Sequence, residues 1–277
     1  MEKRRAVGER RQAARPFIKW AGGKKQILRE LLARAPQTFG TYFEPFLGGG
    51  AVFFSLSPSK AVLSDLNPHL MNAYLVVRDR VDELAESLEV HRADRDYYYM
   101  MRDLSPETMS DVERASWFIY LNKTCYNGLW RVNKSGRFNV PFGRYKNPRI
   151  LDRSNLHAAS RALRAADLRC SDFEDAVQDA LPGDFVYFDP PYLPLGGTAV
   201  FTSYTGEGFD VSEQERLAEV FRRLSRKGVF VMLSNSDVPL VRRLYRGFRI
   251  DTIQAARAIS CRGDRRGLVG EVIITGY

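Results

Sequence analysis

Apolar positions along the chain alternate between helical and strand-like spacing. Residues 24–35 carry their apolar side chains on one helical face, and the apolar run 42–46 that follows stops at three successive glycines. Residues 51–56 are predicted to form a helix and residues 61–65 a second strand, after which helical spacing resumes from residue 70. A strand, a helix and a further strand in this order predict a βαβ unit of a parallel sheet.

The pattern changes in the middle of the chain and then returns. Residues 94–121 are helical and aromatic, whereas residues 122–151 are rich in Asn, Gly, Pro and Arg and are predicted to form loops with a hairpin. Regular patterns return after Asn155, with strands predicted at 185–189 and 229–233. The two similar blocks are therefore expected to form one domain that is interrupted by an insertion.

The C-terminal part of the chain completes the predicted sheet. A helix over 212–224 is expected to begin with a capping box, in which Ser212 is the N-cap and Glu215 the partner three residues later. Residues 248–258 and 269–277 are predicted to be two last strands. A basic loop joins them, and we expect them to form an antiparallel hairpin.

These elements predict an α/β fold with a Rossmann-like, mostly parallel sheet and a terminal antiparallel hairpin. Residues 16–68 and 155–277 would form the catalytic, cofactor-binding domain. Residues 69–154 would form an inserted helical and hairpin domain, and residues 1–15 a flexible basic tail.

Composition narrows the possible partners. The net charge of +9 and a pI of about 9.5 favour a polyanion such as nucleic acid. No apolar run approaches the roughly 18 residues that span a bilayer, and residues 1–15 lack the apolar core of a signal peptide. We therefore expect a cytoplasmic protein with no membrane partner.

Cysteine and histidine usage argues against a metal site. The residues concerned are scattered and not in ligand spacing: Cys125, Cys170, Cys261, His69, His91 and His157. We expect no metal, and the sequence is compatible with a monomer.

The glycine run lies where a doubly wound sheet binds a nucleoside. Phe46 and Leu47 precede Gly48-Gly49-Gly50, and Asp65 ends the next predicted strand. Glycines at the first turn let the backbone approach a ligand, and a strand-end acid accepts hydrogen bonds from a ribose. The spacing is not that of a dinucleotide site, because Phe53 takes the last glycine position. S-adenosylmethionine, a nucleoside without phosphates, is the predicted ligand, although a simple tight turn would also explain the glycines.

A second motif, Asp189-Pro190-Pro191-Tyr192, ends the predicted strand 185–189. The exocyclic amine of adenine is a poor nucleophile because its lone pair is delocalised into the ring. The Asp189 carboxylate and the Pro190 carbonyl can accept its two hydrogens, and two prolines hold that carbonyl in place beforehand. Tyr192 offers a flat face for a base that has flipped out of the helix. These four residues are the predicted catalytic group.

The loop-rich stretch has the composition of a nucleic-acid contact. Residues 123–149 contain seven Lys or Arg and no Asp or Glu. Arg and Asn can contact phosphates or bases, and aromatic side chains can wedge into a base stack. The interleaved aromatic and amide residues are Tyr126, Trp130, Phe138, Phe142, Tyr145, Asn122, Asn127, Asn133, Asn139 and Asn147. A solvated loop is the alternative, as it is for the basic loop 260–267 with Arg262, Arg265 and Arg266.

Together these motifs resemble the Dam family, the D12 class of DNA adenine-N6 methyltransferases. The resemblance runs from residue 17 to residue 277. It is carried by FIKWAGGK at 17–24, EPFLGGG at 44–50, DLN at 65–67, LNK at 121–123, YNGL at 126–129 with Arg131, FNVPFGRY at 138–145 and DPPY at 189–192.

The resemblance implies a class I S-adenosylmethionine-dependent fold, a double-stranded DNA substrate and GATC as the recognition site. By position, Trp20, Lys24, Asp65 and Asp189 would bind the cofactor. The residues implied to contact DNA are Lys19, Tyr126, Asn127, Leu129, Arg131, Pro141 and Arg144.

Two other functions compete with adenine-N6 methylation of DNA. An RNA base methyltransferase could use the same strand-end motif, and methyl incorporation into duplex DNA and into RNA would separate the two. A non-catalytic DNA-binding protein on this scaffold should have lost Asp189 or the glycine loop, yet both are intact.

Overall fold

The computed structural model describes residues 12–22, 24–192, 209–256 and 268–277. The predicted basic loop 260–267 and most of the predicted tail lie outside the described residues. Within them one sheet has seven strands. These are β1 (Tyr42–Glu44), β2 (Ala61–Ser64), β3 (Ala166–Arg169), β4 (Phe185–Phe188), β5 (Phe230–Ser236), β6 (Arg249–Ala256) and β7 (Leu268–Thr275).

Ten α-helices connect or flank these strands in the described part of the chain. They are α1 (Leu28–Arg34), α2 (Ala51–Leu56), α3 (Pro68–Asp79), α4 (Val81–Glu89), α5 (Arg95–Arg102), α6 (Asp111–Thr124), α7 (Arg153–Leu163), α8 (Phe173–Ala176), α9 (Val211–Arg226) and α10 (Pro239–Leu244). Short 3-10 helices occur at Lys24–Gln26, Pro106–Thr108 and Tyr126–Gly128.

The strand order is β3-β2-β1-β4-β5-β7-β6. The first five strands run parallel, and β7 pairs antiparallel with both β5 and β6. This confirms the predicted mostly parallel sheet with a terminal antiparallel hairpin. The strand β3 was not predicted, because it is an edge strand in which only Ala166 is buried and no apolar run marks it.

Both faces of the sheet are covered, which is why its central strands are apolar throughout. Alternate residues of β4 enter different cores. Phe185 and Tyr187 pack with the helices of the first half of the chain, whereas Val186 and Phe188 pack with Leu217 and other residues of α9.

The order of the strands brings two distant parts of the sequence together. From β1 the chain moves outward through β2 to β3, and it later returns to the other side of β1 with β4. The carboxyl ends of β1 and β4 are therefore neighbours at the point where the strand order reverses. Ligands bind at such a point in open α/β sheets.

The start of α9 differs from the prediction. The N-cap is Asp210, whose carboxylate accepts a hydrogen bond from the backbone N–H of Glu213 at 3.1 Å. Ser212 lies inside the helix and donates its hydroxyl to Asp210 Oδ1 at 2.6 Å. The predicted capping box of Ser212 and Glu215 is wrong, because the acid at 210 starts the helix before Ser212.

The stretch after α6 folds back on itself over an aromatic core. Antiparallel bridges join Cys125 to Phe142 and Val132 to Phe138. Trp130 and Phe138 are only 4% and 6% exposed, with ring centroids 4.9 Å apart. The hypothesis that these two rings wedge between bases is therefore wrong, since they face the protein interior.

Candidate active site

A cleft of about 930 Å³ opens at the carboxyl ends of β1, β2 and β4. Every residue predicted to be catalytic or to bind the cofactor lines it: Trp20, Lys24, Phe46, Gly48, Gly50, Asp65, Asp189, Pro190, Pro191 and Tyr192.

The glycine loop leaves no room for side chains. Gly48 and Gly50 have φ angles of +46° and +66°, which strain any residue with a Cβ. A Cβ on Gly48 would lie 2.5 Å from Cδ1 of Trp20, and one on Gly50 would lie 2.9 Å from the hydroxyl of Tyr74. The loop thus forms a cradle of bare backbone beside an indole ring.

Asp65 connects the glycine loop to the end of β2. Its Oδ2 accepts the N–H of Gly48 at 3.0 Å, and its Oδ1 accepts the N–H of Asn67, also at 3.0 Å. Burial raises the pKa of Asp65, while these backbone donors act in the opposite direction. Each oxygen keeps a lone pair that can accept a further hydrogen bond.

Asp189 forms an ion pair with Lys24. Lys24 Nζ lies 2.8 Å from Asp189 Oδ1, and its side chain is only 7% exposed. Burial alone would lower the pKa of Lys24, but Asp189 and Tyr192 outweigh it and hold that pKa above its ordinary value. Burial raises the pKa of Asp189, and Lys24 and Ser234 oppose this rise. The short contact with Lys24 thus favours the charged form of both groups.

Both hydrogen bonds to Asp189 use the same oxygen. Lys24 Nζ and Ser234 Oγ, the latter at 3.0 Å, contact Oδ1. Within the described part of the chain, this leaves Oδ2 for a donor from outside the protein. The carboxylate thus combines a fixed orientation with a vacant acceptor atom.

Tyr192 is held by its hydroxyl. Lys24 Nζ donates to it at 2.9 Å, and it donates to Glu271 Oε2 at 3.3 Å. Burial raises the pKa of Tyr192, so the phenol remains neutral. These contacts fix the plane of the ring next to Asp189.

Glu44, the last residue of β1, is a second buried carboxyl of the cleft. It accepts hydrogen bonds from the Tyr42 hydroxyl at 2.9 Å and the Phe53 N–H at 3.1 Å. Burial, assisted by the charge of Asp189, raises its pKa to about 8. Glu44 therefore keeps its proton at neutral pH, and a cation bound in the cleft would favour its ionised form.

Sequence reasoning missed one wall of the cleft. Phe46 stacks on Phe173 with centroids 5.4 Å apart and meets Phe209 edge-on at 5.6 Å. Arg216 bonds both carboxylate oxygens of Asp172, at 2.7 and 2.8 Å, and lies 4.0 Å from the Phe173 centroid. Asp172 follows β3 as Asp65 follows β2. An acid after a strand was the signal that could have indicated this wall of the cleft, but β3 itself was not predicted.

The residues predicted to contact DNA lie outside the cleft but adjoin it through Lys19. The side chain of Asn122 accepts the Lys19 N–H at 2.8 Å and donates to the Lys19 carbonyl at 2.6 Å. Lys19 Nζ lies 3.8 Å from the centroid of Tyr145. Because Trp20 lines the cleft, this connection brings the loop-rich stretch to the cleft entrance. Asn122 is buried and structural, so the hypothesis that it contacts a base is wrong.

The other predicted DNA contacts are exposed or half-buried. Arg131 donates to the side chain of Asn139 at 2.7 Å and to its carbonyl at 3.2 Å. Tyr126 is 48% exposed, and Asn127 and Arg144 have φ angles of +55° and +53°. The full set is Tyr126, Asn127, Leu129, Arg131, Pro141 and Arg144.

The described residues contain no cluster of three or more His, Cys, Asp or Glu side chains that could hold a metal ion. They also contain no helix with the length and hydropathy to cross a membrane.

Comparison with known proteins gives a consistent result. Residues 20–259 match the model of the D12 class N6 adenine-specific DNA methyltransferases. The chain is 46% identical to the type II methyltransferase M1.LlaDCHI of Lactococcus lactis, over 95% of each chain. It is 44% identical to the type II methyltransferase M.MjaIII of Methanocaldococcus jannaschii, over 95% of this chain and 99% of that one. It is 36% identical to the DNA adenine methylase of Escherichia coli, over 94% of each chain.

Proposed function

The chain belongs to the D12 class of N6 adenine-specific DNA methyltransferases, and from this premise we propose that it methylates the adenine of GATC in double-stranded DNA by flipping that base into the cleft. The observation that carries the proposal is the ion pair between the buried Lys24 and Asp189 at the end of β4, in the same cleft as the glycine loop. The choice of GATC rests on the resemblance of the loop residues to those of Dam enzymes.

The cleft fits the methyl donor of this class, S-adenosylmethionine. The bare-backbone cradle at Gly48 and Gly50 suits close approach of a ligand, and Asp65 has acceptor capacity for ribose hydroxyls. Trp20, Lys24, Phe46 and Asp189 complete the proposed set of cofactor-binding residues. When bound, S-adenosylmethionine would supply an electrophilic methyl group on a sulfonium, with S-adenosylhomocysteine as the leaving group when the S–CH3 bond breaks.

Asp189 and Pro190 prepare the amine of the target adenine. Asp189 Oδ2 and the Pro190 carbonyl each accept one N–H, which draws the nitrogen towards a tetrahedral shape and frees its lone pair. Lys24 and Ser234 keep the carboxylate oriented and charged, so that no rearrangement is needed during the reaction. The amine is then the nucleophile itself, and no covalent intermediate on the enzyme is required. Asp189 also takes up the proton that the amine loses.

Tyr192 provides a stacking surface for the flipped base. Its hydroxyl contacts with Lys24 and Glu271 hold the ring beside Asp189 before DNA binds. Stacking on a fixed aromatic ring offsets part of the few kcal/mol that unstacking a base costs.

The loop-rich stretch provides the contacts with DNA in this proposal. Lys19, Arg131 and Arg144 contribute positive charge on the side of the cleft entrance, and Tyr126, Asn127, Leu129 and Pro141 lie among them. Arg can read guanine and Asn can read adenine in the major groove. Contacts with phosphates make binding strongly dependent on salt.

Transfer of labelled methyl groups to matched duplexes tests the proposal. One duplex contains GATC, the second a single-base variant, and the third GATC that already carries N6-methyladenine. Incorporation into the first alone is expected. Incorporation into all unmethylated duplexes would reject GATC, and incorporation into RNA alone would reject DNA as the substrate.

A further inference from the structure

The strand β5 carries three successive polar residues that are completely or almost completely buried. Ser234, Asn235 and Ser236 are at most 1% exposed, although the preceding residues of the strand are apolar. Burying polar groups costs free energy unless they are hydrogen-bonded. Successive side chains of a strand point to opposite faces of the sheet, so the side chains of Ser234 and Asn235 contact different residues.

On one face, Ser234 contacts the catalytic carboxylate. Its hydroxyl donates to Asp189 Oδ1 at 3.0 Å and lies 2.8 Å from the hydroxyl of Tyr187. Because Ser234 donates its hydrogen to Asp189, Tyr187 is the donor to Ser234. This face therefore holds the first residue of the Asp189–Tyr192 turn.

On the other face, Asn235 starts a chain of hydrogen bonds that ends on the same turn. The Ser236 N–H donates to Asn235 Oδ1 at 2.8 Å, and Asn235 Nδ2 donates to Gln214 Oε1 at 3.0 Å. Gln214 Nε2 then donates to the carbonyl of Pro191 at 3.1 Å. A backbone N–H can only donate and a carbonyl can only accept, so the direction of the whole chain is determined.

The composition of the turn explains why it needs such an anchor. Pro190 and Pro191 have no N–H, so their carbonyl oxygens are their only polar backbone groups. In the proposed function, the Pro190 carbonyl accepts a hydrogen of the target amine. Of the polar backbone groups of the two prolines, the Pro191 carbonyl is then the one that remains for holding the turn to the rest of the protein.

We propose that Gln214 and Asn235 are positioning residues, which hold the Pro191 carbonyl so that Asp189 and the Pro190 carbonyl face the target amine. This proposal rests on the function proposed above. Neither residue contacts the substrate in it. They act through Pro191, while Ser234 holds the carboxylate from the other face of the sheet.

Gln214→Met tests the chain of hydrogen bonds with little change in side-chain volume. We expect its single-turnover rate of methyl transfer to fall roughly 100-fold, the size of effect that a small misplacement of reacting groups produces. Affinities for S-adenosylmethionine and for duplex DNA should stay within about twofold, because neither ligand contacts Gln214. Asn235→Leu should lose a similar factor, and the double variant should lose no more than either single one, since the two amides act as one unit.

A spectroscopic readout does not depend on turnover. Pro191-Tyr192 is the sole Pro–Tyr pair in the sequence. Labelling proline carbonyls with ¹³C and tyrosine amides with ¹⁵N therefore gives one signal for this peptide bond. We expect the Pro191 carbonyl signal of the free protein to shift in Gln214→Met.

Asn155→Ala is the matched control. Asn155 is also a buried amide, whose side chain forms two hydrogen bonds with the backbone of Arg15, at 3.1 and 3.0 Å, rather than with the turn. It should lower thermal stability without changing the methyl-transfer rate or the Pro191 signal. If Gln214→Met does not fold, Gln214→Asn shortens the side chain by one methylene and puts Pro191 out of reach while keeping an amide.

The outcomes separate this proposal from the proposed function. A normal rate and an unmoved signal in Gln214→Met, or an equal loss of rate in Asn155→Ala, would overturn the positioning role. Full turnover in Asp189→Ala would instead overturn the proposed chemistry, whatever the Gln214 variants do.

Discussion

The cleft and the loop-rich stretch at residues 122–149 use charge in opposite ways. In the cleft, the buried Lys24 is paired with Asp189, whose side chain is 21% exposed. In the loop-rich stretch, Arg131 and Arg144 are exposed, and the buried residues are apolar rings such as Trp130. Charges in the cleft are oriented before any substrate arrives, whereas those of the loop are hydrated and available to a large polyanion. One region is therefore suited to chemistry and the other to binding.

Replacing Asp189 is expected to have the largest effect and to affect the cleft alone. Asp189→Ala removes the acceptor for the amine and leaves Lys24 buried without its partner. The single-turnover rate should fall by at least about 100- to 1000-fold, as when one preorganised polar group is lost. Non-specific DNA binding, measured by fluorescence anisotropy, should persist.

Asp189→Asn is the control for shape, since it keeps the size of the side chain while removing its charge. It should also be severely impaired. A methyl-transfer rate within tenfold of the unmodified protein in either variant would contradict the assignment of the chemistry to the cleft.

Replacing Trp130 tests whether the buried aromatic rings stabilise the loop-rich stretch. Trp130→Ala should lower the free energy of unfolding by about 3–5 kcal/mol, because it leaves a cavity against Phe118 and Phe138. Tyr126→Ala, at a 48% exposed position of the same loop, should change it by less than about 0.5 kcal/mol. Denaturant unfolding measures both, and equal effects of the two substitutions would show that the rings do not anchor the loop.

Replacing Arg131 tests whether the loop-rich stretch contributes to DNA recognition. Arg131→Ala should weaken the preference for GATC over a single-base variant by about 1–3 kcal/mol, while transfer at saturating DNA changes little. The matched control is Arg226→Ala. Arg226 is exposed and is the last residue of α9, just before β5 begins. It therefore lies near the amino ends of the parallel strands, whereas the cleft lies at their carboxyl ends. Loss of the chemical step in Arg131→Ala, or an unchanged preference for GATC, would contradict the assignment.

The last expected effect is spread over several pH units, at no more than about 1.4 kcal/mol per pH unit, and it compares the cleft with the helical segment around His91. In the cleft, the pKa of Glu44 is raised to about 8, so the folded state holds more protons than the unfolded state between about pH 4.5 and 8. The contribution of Glu44 to the free energy of unfolding is complete below that window. It is lost as the pH rises, by up to about 1.4 kcal/mol per pH unit. Glu44→Gln should remove this slope from the free energy of unfolding.

Between α4 and α5, His91 should give the opposite slope. Burial lowers its pKa to about 4, and its ring stacks on Tyr120 with centroids 4.6 Å apart. The unfolded state then holds more protons between about pH 4 and 6.5, so stability is complete above pH 6.5 and is lost as the pH falls. Chemical unfolding of His91→Gln across this window should lack that loss, and the same slope in the variant would exclude His91 as its source.

The sequence predicted much of the sheet and the position of the site, but few of the contacts within the site. The glycine run and the motif at 189–192 could be located because each follows an apolar strand, and strand ends meet at one edge of a parallel sheet. The wall formed by Phe173 and Arg216 was missed, because the edge strand before it has no apolar pattern. Trp130, Phe138 and Asn122 were misinterpreted, since composition does not reveal which way a side chain points in a loop.

The sequence by itself determined the features that depend on neighbouring residues: the periodicity of the helices and strands, the turn that requires Gly48 and Gly50, and the rigid turn at the two prolines. Only the tertiary structure decided which distant side chains meet. It paired Lys24 with Asp189 and connected Asn235 through Gln214 to the Pro191 carbonyl. The physical reason is that a buried polar group must find its partner wherever packing brings one, and packing joins residues that the sequence separates.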